Sequence, residues 1–344
     1  MRTTGKRPRT TALLATLTVL LCPPLVQAED PAGRLLGAKT SEHPTWFKES
    51  FLEIAEDVDE ASAAGRHLIL FMEMNGCPYC YKMVEENFKH GPHRDFIRTH
   101  FDIIALNVKG DREVAITPDT RLPEKALAEF YQVETTPTLI FLDATNTPVA
   151  KIGGYRNPED LKRILDYVDT RAYAEQSLAD YLRNHREQGR YQLRTHPQIR
   201  EIEDLSTVEG ALAVLFEDDA CLACDALHDG HLADPAVREA LADFTLVRLD
   251  ASAETAIVAP DGTATSARTL ARDLDILYRP TLVLFDQGEE QARIENMLYR
   301  YHFIGMLEYV GAGHYQDYAD PFDYIDAKTA ALLAAGEDVS ISDE

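Results

Sequence analysis

Basic residues are scarce in this chain of 344 residues, which has 34 lysines and arginines, 58 aspartates and glutamates, and a formal net charge of −24. Because a strongly acidic surface repels phosphate backbones, this composition argues against a nucleic-acid-binding protein. The sequence also lacks a glycine-rich phosphate loop, a Ser-His-Asp pattern and a basic stripe. The motifs of P-loop nucleotide binding and of serine hydrolases are therefore absent.

The N-terminal apolar run, TALLATLTVLLC from Thr11, has about a dozen residues and is too short to span a bilayer comfortably. Four basic residues and no acidic residue precede it, namely Arg2, Lys6, Arg7 and Arg9. The small-residue pattern Val26-Gln27-Ala28 follows it. This order predicts a secretory signal peptide over residues 1–28, with an uncleaved anchor as the alternative. We therefore expect an exported, periplasmic protein with a net charge of about −28 after cleavage.

Cysteine is also scarce. The five cysteines are Cys22, Cys77, Cys80, Cys221 and Cys224. Signal cleavage would remove the first and leave four thiols, which form two C-x-x-C pairs with no odd thiol left over. In an exported protein such pairs can form disulfides.

The two cysteine pairs lie in similar stretches of sequence. HLILFMEMNGCPYCYKMVEENF begins at His67, and ALAVLFEDDACLACDALHDGHL begins at Ala211. Further matches follow at offsets of 142 to 144 residues, including TTPTLIFLD with YRPTLVLFD. A period of this length indicates a duplicated domain rather than a solenoid repeat.

Each copy alternates strand-like and helix-like segments. In the first copy we expect strands at 67–72, 101–108, 138–142 and 149–153, and helices at 77–89, 95–100, 125–131 and 157–168. The second copy repeats this order between about residues 210 and 310. The alternation predicts the α/β class, with two layered domains in tandem.

The pattern divides the chain into five parts. These are the signal peptide (1–28), a first domain with CPYC (29–170), a helical linker (171–207), a second domain with CLAC (208–312), and a C-terminal helical extension with an acidic tail (313–344). We expect an amphipathic helix over 171–189, echoed after the second copy by Tyr324-Ile325, and both pieces should pack on their domains. The final GEDVSISDE should be a solvated tail.

A C-x-x-C pair can bind zinc, staple a loop or exchange electrons. Zinc needs four ligands, yet the two pairs lie 144 residues apart in separate domains. A disulfide that closes so short a loop removes little chain entropy, which argues against a purely structural role. A strand that ends in C-x-x-C and continues as a helix instead places the first cysteine at the helix N-terminus, where backbone N–H groups stabilise a thiolate. This favours redox exchange by Cys77 with Cys80 and by Cys221 with Cys224, without a metal.

A proline enters a strand in both copies, as Thr136-Pro137 and as Arg279-Pro280. Such a bond can be cis, the alternative being a trans proline at a strand start. Together with the strand–CPYC–helix unit, this makes each copy resemble a thioredoxin-fold domain, over roughly residues 45–170 and 205–312. The resemblance implies that the cis-proline loop lies against C-x-x-C. It also implies that Thr136 with Pro137, and Arg279 with Pro280, bind the substrate backbone.

The segment FMEMNGCPYC and the insertion around 109–123 further resemble periplasmic SoxW-like thioredoxins, which are linked to sulfur-oxidation operons. This likeness implies a thiol–disulfide oxidoreductase that reduces exported proteins, with a membrane thiol carrier as electron donor and no cofactor. A disulfide oxidase or isomerase, and a non-catalytic binding or chaperone module, remain as alternatives.

Neither copy has the Trp-Cys-Gly-Pro-Cys motif of ordinary thioredoxins. Phe71 and Leu215 stand six residues before the first cysteine, where that family has a buried aspartate. Glu73 and Glu217, two positions later, are therefore the candidate acid–base residues. An exposed carboxylate at a strand end is the alternative for both.

Charge distinguishes the two cysteine pairs. Glu217, Asp218 and Asp219 precede Cys221, and negative neighbours raise a thiol pKa, unless Arg279 opposes them. We therefore predict that Cys77 is the more reactive nucleophile.

Five histidines follow the two motifs. They are His90, His93, His100, His228 and His231. We expect exposed or capping histidines here rather than metal ligands.

Overall fold

The computed structural model describes residues 32–186 and 189–343, together with Met1 and Gly5. Apart from those two residues, the signal peptide predicted over 1–28 lies outside the described residues and stays a prediction. None of the helices in the described ranges is long and apolar enough to cross a membrane.

The first half of the chain alternates strands and helices as expected. Its strands are β1 (Leu35–Leu36), β2 (His67–Glu73), β3 (Phe101–Asn107), β4 (Glu113–Thr117), β5 (Thr120–Pro123), β6 (Thr138–Leu142) and β7 (Pro148–Gly153). Its helices are α1 (Ile54–Ala63), α2 (Pro78–Met83), α3 (Arg94–His100), α4 (Glu124–Phe130) and α5 (Pro158–Asp169), and a π-helical segment, Val84–Lys89, continues α2. Every strand and helix predicted for the first copy is present to within a few residues.

The second half repeats this order. Its helices are α6 (Leu178–Asn184), α7 (Cys224–Asp229), α8 (Pro235–Ala240), α9 (Ala267–Asp273), α10 (Arg300–Gly311) and α11 (Pro321–Ala334). Its strands are β8 (Ile199–Arg200), β9 (Leu212–Glu217), β10 (Thr245–Asp250), β11 (Ala256–Val258), β12 (Ala264–Ser266), β13 (Thr281–Asp286), β14 (Glu289–Ile294) and β15 (Val339–Ser340).

Each copy builds the same mixed sheet. The first has the order β3-β2-β6-β7, in which β2 and β3 are parallel and the other pairs are antiparallel. The second has the order β14-β13-β9-β10-β8, with β9 and β10 parallel and β13 antiparallel to β9 and β14. The ribbons β4-β5 and β11-β12 occupy equivalent places in the two copies. The predicted α/β class and the tandem arrangement are confirmed.

Strand periodicity divides most of the core into three clusters, beside a small fourth one around Cys221 and Cys224. Alternate side chains of a strand point to opposite sheet faces, so Phe71 and Leu215 face one cluster that contains residues of both halves. Leu70 faces a second cluster, confined to the first half, and Phe216 faces a third, confined to the second half. The faces that carry the two cysteine helices therefore share one continuous apolar cluster.

The helix predicted over 171–189 is wrong in extent. Arg171 has a left-handed conformation with φ of 58° and ends α5. A 3₁₀ turn follows, and Ser177 then starts a new helix because its hydroxyl accepts the backbone N–H of Asp180. Only α6 is helical in the rest of the described linker before β8, which joins the second sheet. Tyr181 and Leu182 are buried, as is Ile325 in the second extension, so the predicted packing of both pieces is confirmed.

The solvated tail is also a wrong prediction. Val339 and Ser340 pair with Leu35 and Leu36 as parallel strands, and Val339 is buried. The Arg34 guanidinium binds Asp338 beside this pair. Backbone pairing and apolar burial thus hold residues that composition alone assigns to solvent. The positions of the four boundaries between the five predicted parts stay predictions.

Candidate active site

The first cysteine pair lies at the junction of β2 and α2. Cys77 is the N-cap of α2, and its sulfur accepts the backbone N–H of Cys80 at 3.0 Å. Pro78 at the first helical position has no N–H to leave unpaired. The two cysteines form a disulfide with a Cα–Cα distance of 5.3 Å. Cys77 therefore lies where the backbone stabilises a thiolate once the disulfide is reduced.

The proline loop of the first copy lies against this sulfur. Thr136-Pro137 is a cis peptide, as the sequence suggested. The Thr136 hydroxyl donates to the Cys77 sulfur at 3.5 Å, and the Thr136 carbonyl oxygen is 3.7 Å from the same atom. Thr136 and Cys77 are thus placed together as predicted.

Neighbouring residues cover the first motif. Cys77 is only 1% exposed. The Lys39 amide donates to the Gly76 carbonyl, and the Lys39 ammonium lies 4.8 Å from the Tyr81 ring centroid. Exchange at Cys77 therefore requires some of these neighbours to move.

The second half packs on the dipeptide between Cys77 and Cys80. The Tyr79 ring stacks on Tyr299 with centroids 5.1 Å apart. The Tyr79 hydroxyl accepts the backbone N–H of Tyr299 and lies 2.9 Å from His302 Nδ1. Burial lowers the pKa of His302 to about 4, so this ring is neutral at pH 7 and Nδ1 can accept the hydroxyl proton. The first redox motif is therefore part of the contact between the two copies.

The second cysteine pair differs in its relation to the helix. α7 begins at Cys224 with Ala223 as its N-cap, so Cys221 precedes the helix rather than capping it. The two cysteines form a disulfide with a Cα–Cα distance of 5.7 Å. The expectation that the first cysteine lies at the helix N-terminus thus holds for Cys77 and is wrong for Cys221. The same turn precedes both cysteines, because the Cys77 N–H donates to the Met74 carbonyl and the Cys221 N–H to the Asp218 carbonyl, so the difference between the copies arises after the first cysteine.

A stretch of the linker, residues 189–194, covers the second disulfide and is called here the covering segment. Tyr191 packs against Cys221 and Cys224 as one buried cluster. The backbone N–H groups of Arg190 and Tyr191 both donate to the Asp219 carbonyl, at 2.7 and 3.0 Å. Arg194 binds the carboxylates of Asp225 and Asp229 on α7. Cys221 is 2% exposed, about as little as Cys77, and the Tyr191 ring is the part of the covering segment that packs on it.

The second proline loop is also cis, at Arg279-Pro280. The Arg279 guanidinium pairs with Asp218 rather than with the Cys221 sulfur, since its Nε binds Asp218 Oδ2 at 2.9 Å. Arg186 binds the same carboxylate oxygen at 3.3 Å. Asp218 is therefore neutralised, and its expected effect on the pKa of Cys221 is weakened.

A cleft of about 260 Å³ remains between the two copies beside this loop. Arg156 of the first copy and Ala223 and Pro280 of the second border it. The Arg156 guanidinium lies 3.9 Å over the Tyr278 ring. The first copy thus occupies much of the space next to the second proline loop.

Each predicted acid–base carboxylate is paired with a histidine. Glu73 Oε1 lies 2.6 Å from His43 Nε2, and its side chain is partly buried. Glu217 Oε1 lies 2.9 Å from His228 Nε2 and accepts the Tyr191 hydroxyl at 3.4 Å. Glu217 is fully buried, so it is no exposed strand-end carboxylate.

Burial decides the protonation of the second pair. It raises the pKa of Glu217 to about 7 and lowers the pKa of His228. At neutral pH Glu217 can therefore hold or release a proton next to Tyr191, the ring that packs on the second disulfide.

The sequence prediction for His228 was wrong, because this histidine is buried rather than exposed or capping. Its spacing carried a usable signal. His228 follows Cys224 by four residues on α7, which places both on one helix face. His43 and Tyr191 have no such signal, since they reach their sites from distant loops. Within the described residues, no group of three or more His, Cys, Asp or Glu side chains is arranged to hold a metal ion.

Comparison with known proteins assigns a family to this arrangement. A family model of the thioredoxin-like domain matches the chain twice, over residues 54–169 and 203–311. No curated protein matches the chain.

Several solved structures are similar to parts of the chain. A thioredoxin-fold protein from Helicobacter pylori is 21% identical over 35% of this chain and 79% of its own, with a TM-score of 0.32. A thioredoxin from Thermus thermophilus is 21% identical over 40% of this chain and 87% of its own, with a TM-score of 0.27. A putative disulphide-isomerase from Bacteroides thetaiotaomicron is 21% identical over 38% of this chain and 97% of its own, with a TM-score of 0.29. The two family-model matches cover more than half of the sequence, so the chain belongs to the thioredoxin-like domain family, as a tandem pair of domains.

Proposed function

We propose that this chain is an exported thiol–disulfide oxidoreductase that reduces disulfides in other exported proteins through Cys77 and Cys80. Family membership supports the superfamily of thiol–disulfide oxidoreductases. One observation carries the assignment to the first site: the Cys77 sulfur caps α2 and has the Cys80 N–H at 3.0 Å. The same backbone donor would stabilise a Cys77 thiolate.

The proposed reaction moves two electrons from the protein dithiol to the substrate. The Cys77 thiolate attacks one sulfur of the substrate disulfide, forms a mixed disulfide and releases a thiolate that takes up a proton. The Cys80 thiol loses its proton and attacks the Cys77 sulfur, which restores the disulfide seen here and releases the second substrate thiol. Thr136, which touches the Cys77 sulfur, would hold the substrate backbone at the attacking atom.

Reduction of the Cys77–Cys80 disulfide for the next cycle requires a dithiol donor. We assign this role to a membrane thiol carrier, in line with the resemblance of FMEMNGCPYC to SoxW-like thioredoxins. Clients in sulfur metabolism belong to the same proposal. A disulfide oxidase or isomerase would use the same atoms in another direction, and reduction potential decides between them.

The second domain is a candidate for a different role. Tyr191 covers its disulfide, and Cys221 lies outside the helix that would stabilise a thiolate. These two observations favour a binding or structural module over an exchanging site in this domain.

Insulin reduction coupled to a dithiol donor tests the assignment. We expect Cys77→Ser/Cys80→Ser to abolish turnover and the matched Cys221→Ser/Cys224→Ser variant to retain most of it. Full turnover by the first variant would overturn the proposal. Equilibration of the Cys77–Cys80 pair against a glutathione series then gives its potential, and a strongly oxidising value would reverse the assigned direction. Trapping with Cys80→Ala in the exported protein identifies the client as the molecule bound to Cys77.

A further inference from the structure

A second cleft, of about 420 Å³, lies next to the second disulfide. Ala220, the residue before Cys221, forms part of its wall. Five arginines line it: Arg183, Arg186, Arg268, Arg272 and Arg279. Asp218 and Asp219 are the acidic residues of the lining. In a chain with a net charge of −24, such a concentration of guanidinium groups is a local reversal of sign.

The inner part of this cleft carries an excess positive charge. Arg186 and Arg279 both bind Asp218 Oδ2, while Asp218 Oδ1 accepts the backbone N–H of Ala220. The Arg279, Asp218 and Arg186 side chains are only 5%, 3% and 17% exposed. Backbone carbonyl oxygens also accept hydrogen bonds from both guanidinium groups but carry no net charge, so the two buried cations share one carboxylate. Buried charge is costly unless it is balanced, so this group favours an added anion.

The pKa values of the inner arginines point the same way. Burial and the neighbouring Arg186 lower the pKa of Arg279 to about 10, against the attraction of Asp218. Burial also lowers the pKa of Arg186. In both cases burial is the largest cause, so the charged guanidinium is held there at a cost in solvation.

The outer arginines are able to reach a ligand. Arg268 and Arg272 are four residues apart on α9, so they lie on one helix face. Both side chains are 58% exposed; they bind the exposed carboxylates of Glu254 and Asp273, and Arg268 also donates to the Ser252 carbonyl oxygen. Exposed ion pairs of this kind contribute little free energy and exchange readily.

We propose that this cleft binds a small inorganic oxyanion of the sulfate or phosphate class. The planar guanidinium fork donates two parallel hydrogen bonds to such an oxyanion, which a compact ammonium cannot do. The cleft volume fits a small ion or a compact molecule that carries one. Oxyanion binding in this cleft does not depend on thiol exchange. An anion held here lies near Cys221 and would disfavour its thiolate, which links occupancy to the reactivity of the second pair.

Titration calorimetry of the full chain tests the site, with sodium sulfate, sodium phosphate and sodium succinate at ionic strength held constant by sodium chloride. We expect saturable binding of sulfate and phosphate at one site per chain. Arg268→Gln/Arg272→Gln should weaken it about tenfold, the loss expected for a charged hydrogen-bonding contact. These two residues are exposed, so the variant should fold.

The matched control is Arg94→Gln/Arg98→Gln, which removes two exposed arginines, also four residues apart, from α3 of the first domain. It should bind both oxyanions as the unaltered chain does. Absence of saturable sulfate and phosphate binding would overturn the proposal, as would equal weakening by the two double variants. Binding of succinate as tight as that of sulfate would overturn the assignment to inorganic oxyanions.

Discussion

At the scale of single residues, the two copies place similar side chains in different surroundings. Cys77 caps a helix, whereas Cys221 precedes one. Glu73 pairs with a histidine near the surface, whereas Glu217 and His228 are fully buried. The duplicated sequence therefore supports two sites with unequal chemistry.

Cys77 should be the more reactive thiol, although the reason differs from the one that charge alone suggests. Asp218 is neutralised by two arginines, so the advantage of Cys77 comes from the Cys80 N–H and the helix start. We expect iodoacetamide to alkylate Cys77 in Cys80→Ala faster than Cys221 in Cys224→Ala, by at least tenfold at pH 7. Rates measured between pH 5 and 9 give both thiol pKa values, and a faster Cys221 at neutral pH would contradict the prediction.

Glu217 should make stability fall as pH rises. Its pKa is about 7 in the folded chain and 4.5 is the ordinary value, so the folded state keeps a proton that the unfolded state has lost between these values. The associated stability is present below about pH 4.5 and is lost as pH rises through about 7. Glu217→Gln should remove this loss, which is on the order of 1 to 3 kcal/mol.

Urea unfolding at pH 5 and pH 8 measures the effect as the free-energy difference between the unaltered chain and Glu217→Gln. Burial lowers the pKa of His228, and this shift makes stability fall as pH falls, opposite to the effect of Glu217. The test is therefore the difference between the unaltered chain and Glu217→Gln, not the pH dependence of the unaltered chain alone. Tyr191→Phe removes the hydroxyl that donates to Glu217 but leaves the Glu217 carboxyl in place. This variant should keep the fall in stability with rising pH. A constant difference between pH 5 and pH 8 would show that Glu217 is ionised throughout.

At the scale of elements, the covering segment decides access to the second disulfide. Tyr191→Ala should expose Cys221 and Cys224 and accelerate their reduction by dithiothreitol, by about tenfold or more, because the ring that excludes the reductant is gone. Quenched samples analysed by mass spectrometry give the rate. Tyr131→Ala, at a half-buried tyrosine of the first domain, is the control and should leave this rate unchanged. An unchanged rate in Tyr191→Ala would mean that other residues control access.

Most elements of both copies could be predicted, because apolar strands such as β2 and capped helices such as α5 carry local patterns. The break between α5 and α6 could not be predicted, because nothing in the sequence marks Arg171 as a residue with a left-handed conformation. The pairing of the cysteines follows from the C-x-x-C motif, and the cis prolines from a proline that enters a strand in each copy. Tyr191, His228 and His43 were missed as site residues, because tertiary packing alone brings them to the sulfurs and carboxylates.

At the scale of the whole molecule, the two domains share a core through the first redox motif. Tyr299→Ala removes a buried ring that stacks on Tyr79, and we expect a loss of about 3 kcal/mol in the free energy of unfolding. Urea unfolding followed by circular dichroism measures it. Tyr131→Ala, outside the contact between domains, should cost clearly less. Equal losses would show that the stacked pair contributes nothing particular to the joined core.

The pairing of β1 with β15 has a consequence for how the chain reaches its final form. Synthesis delivers the N-terminal part first, so Leu35 and Leu36 emerge long before Val339 and Ser340 exist as partners. The last strand must dock onto the first after both domains have been delivered. A translation product that stops short of residue 339 therefore keeps an unsealed edge, open to quality-control proteases.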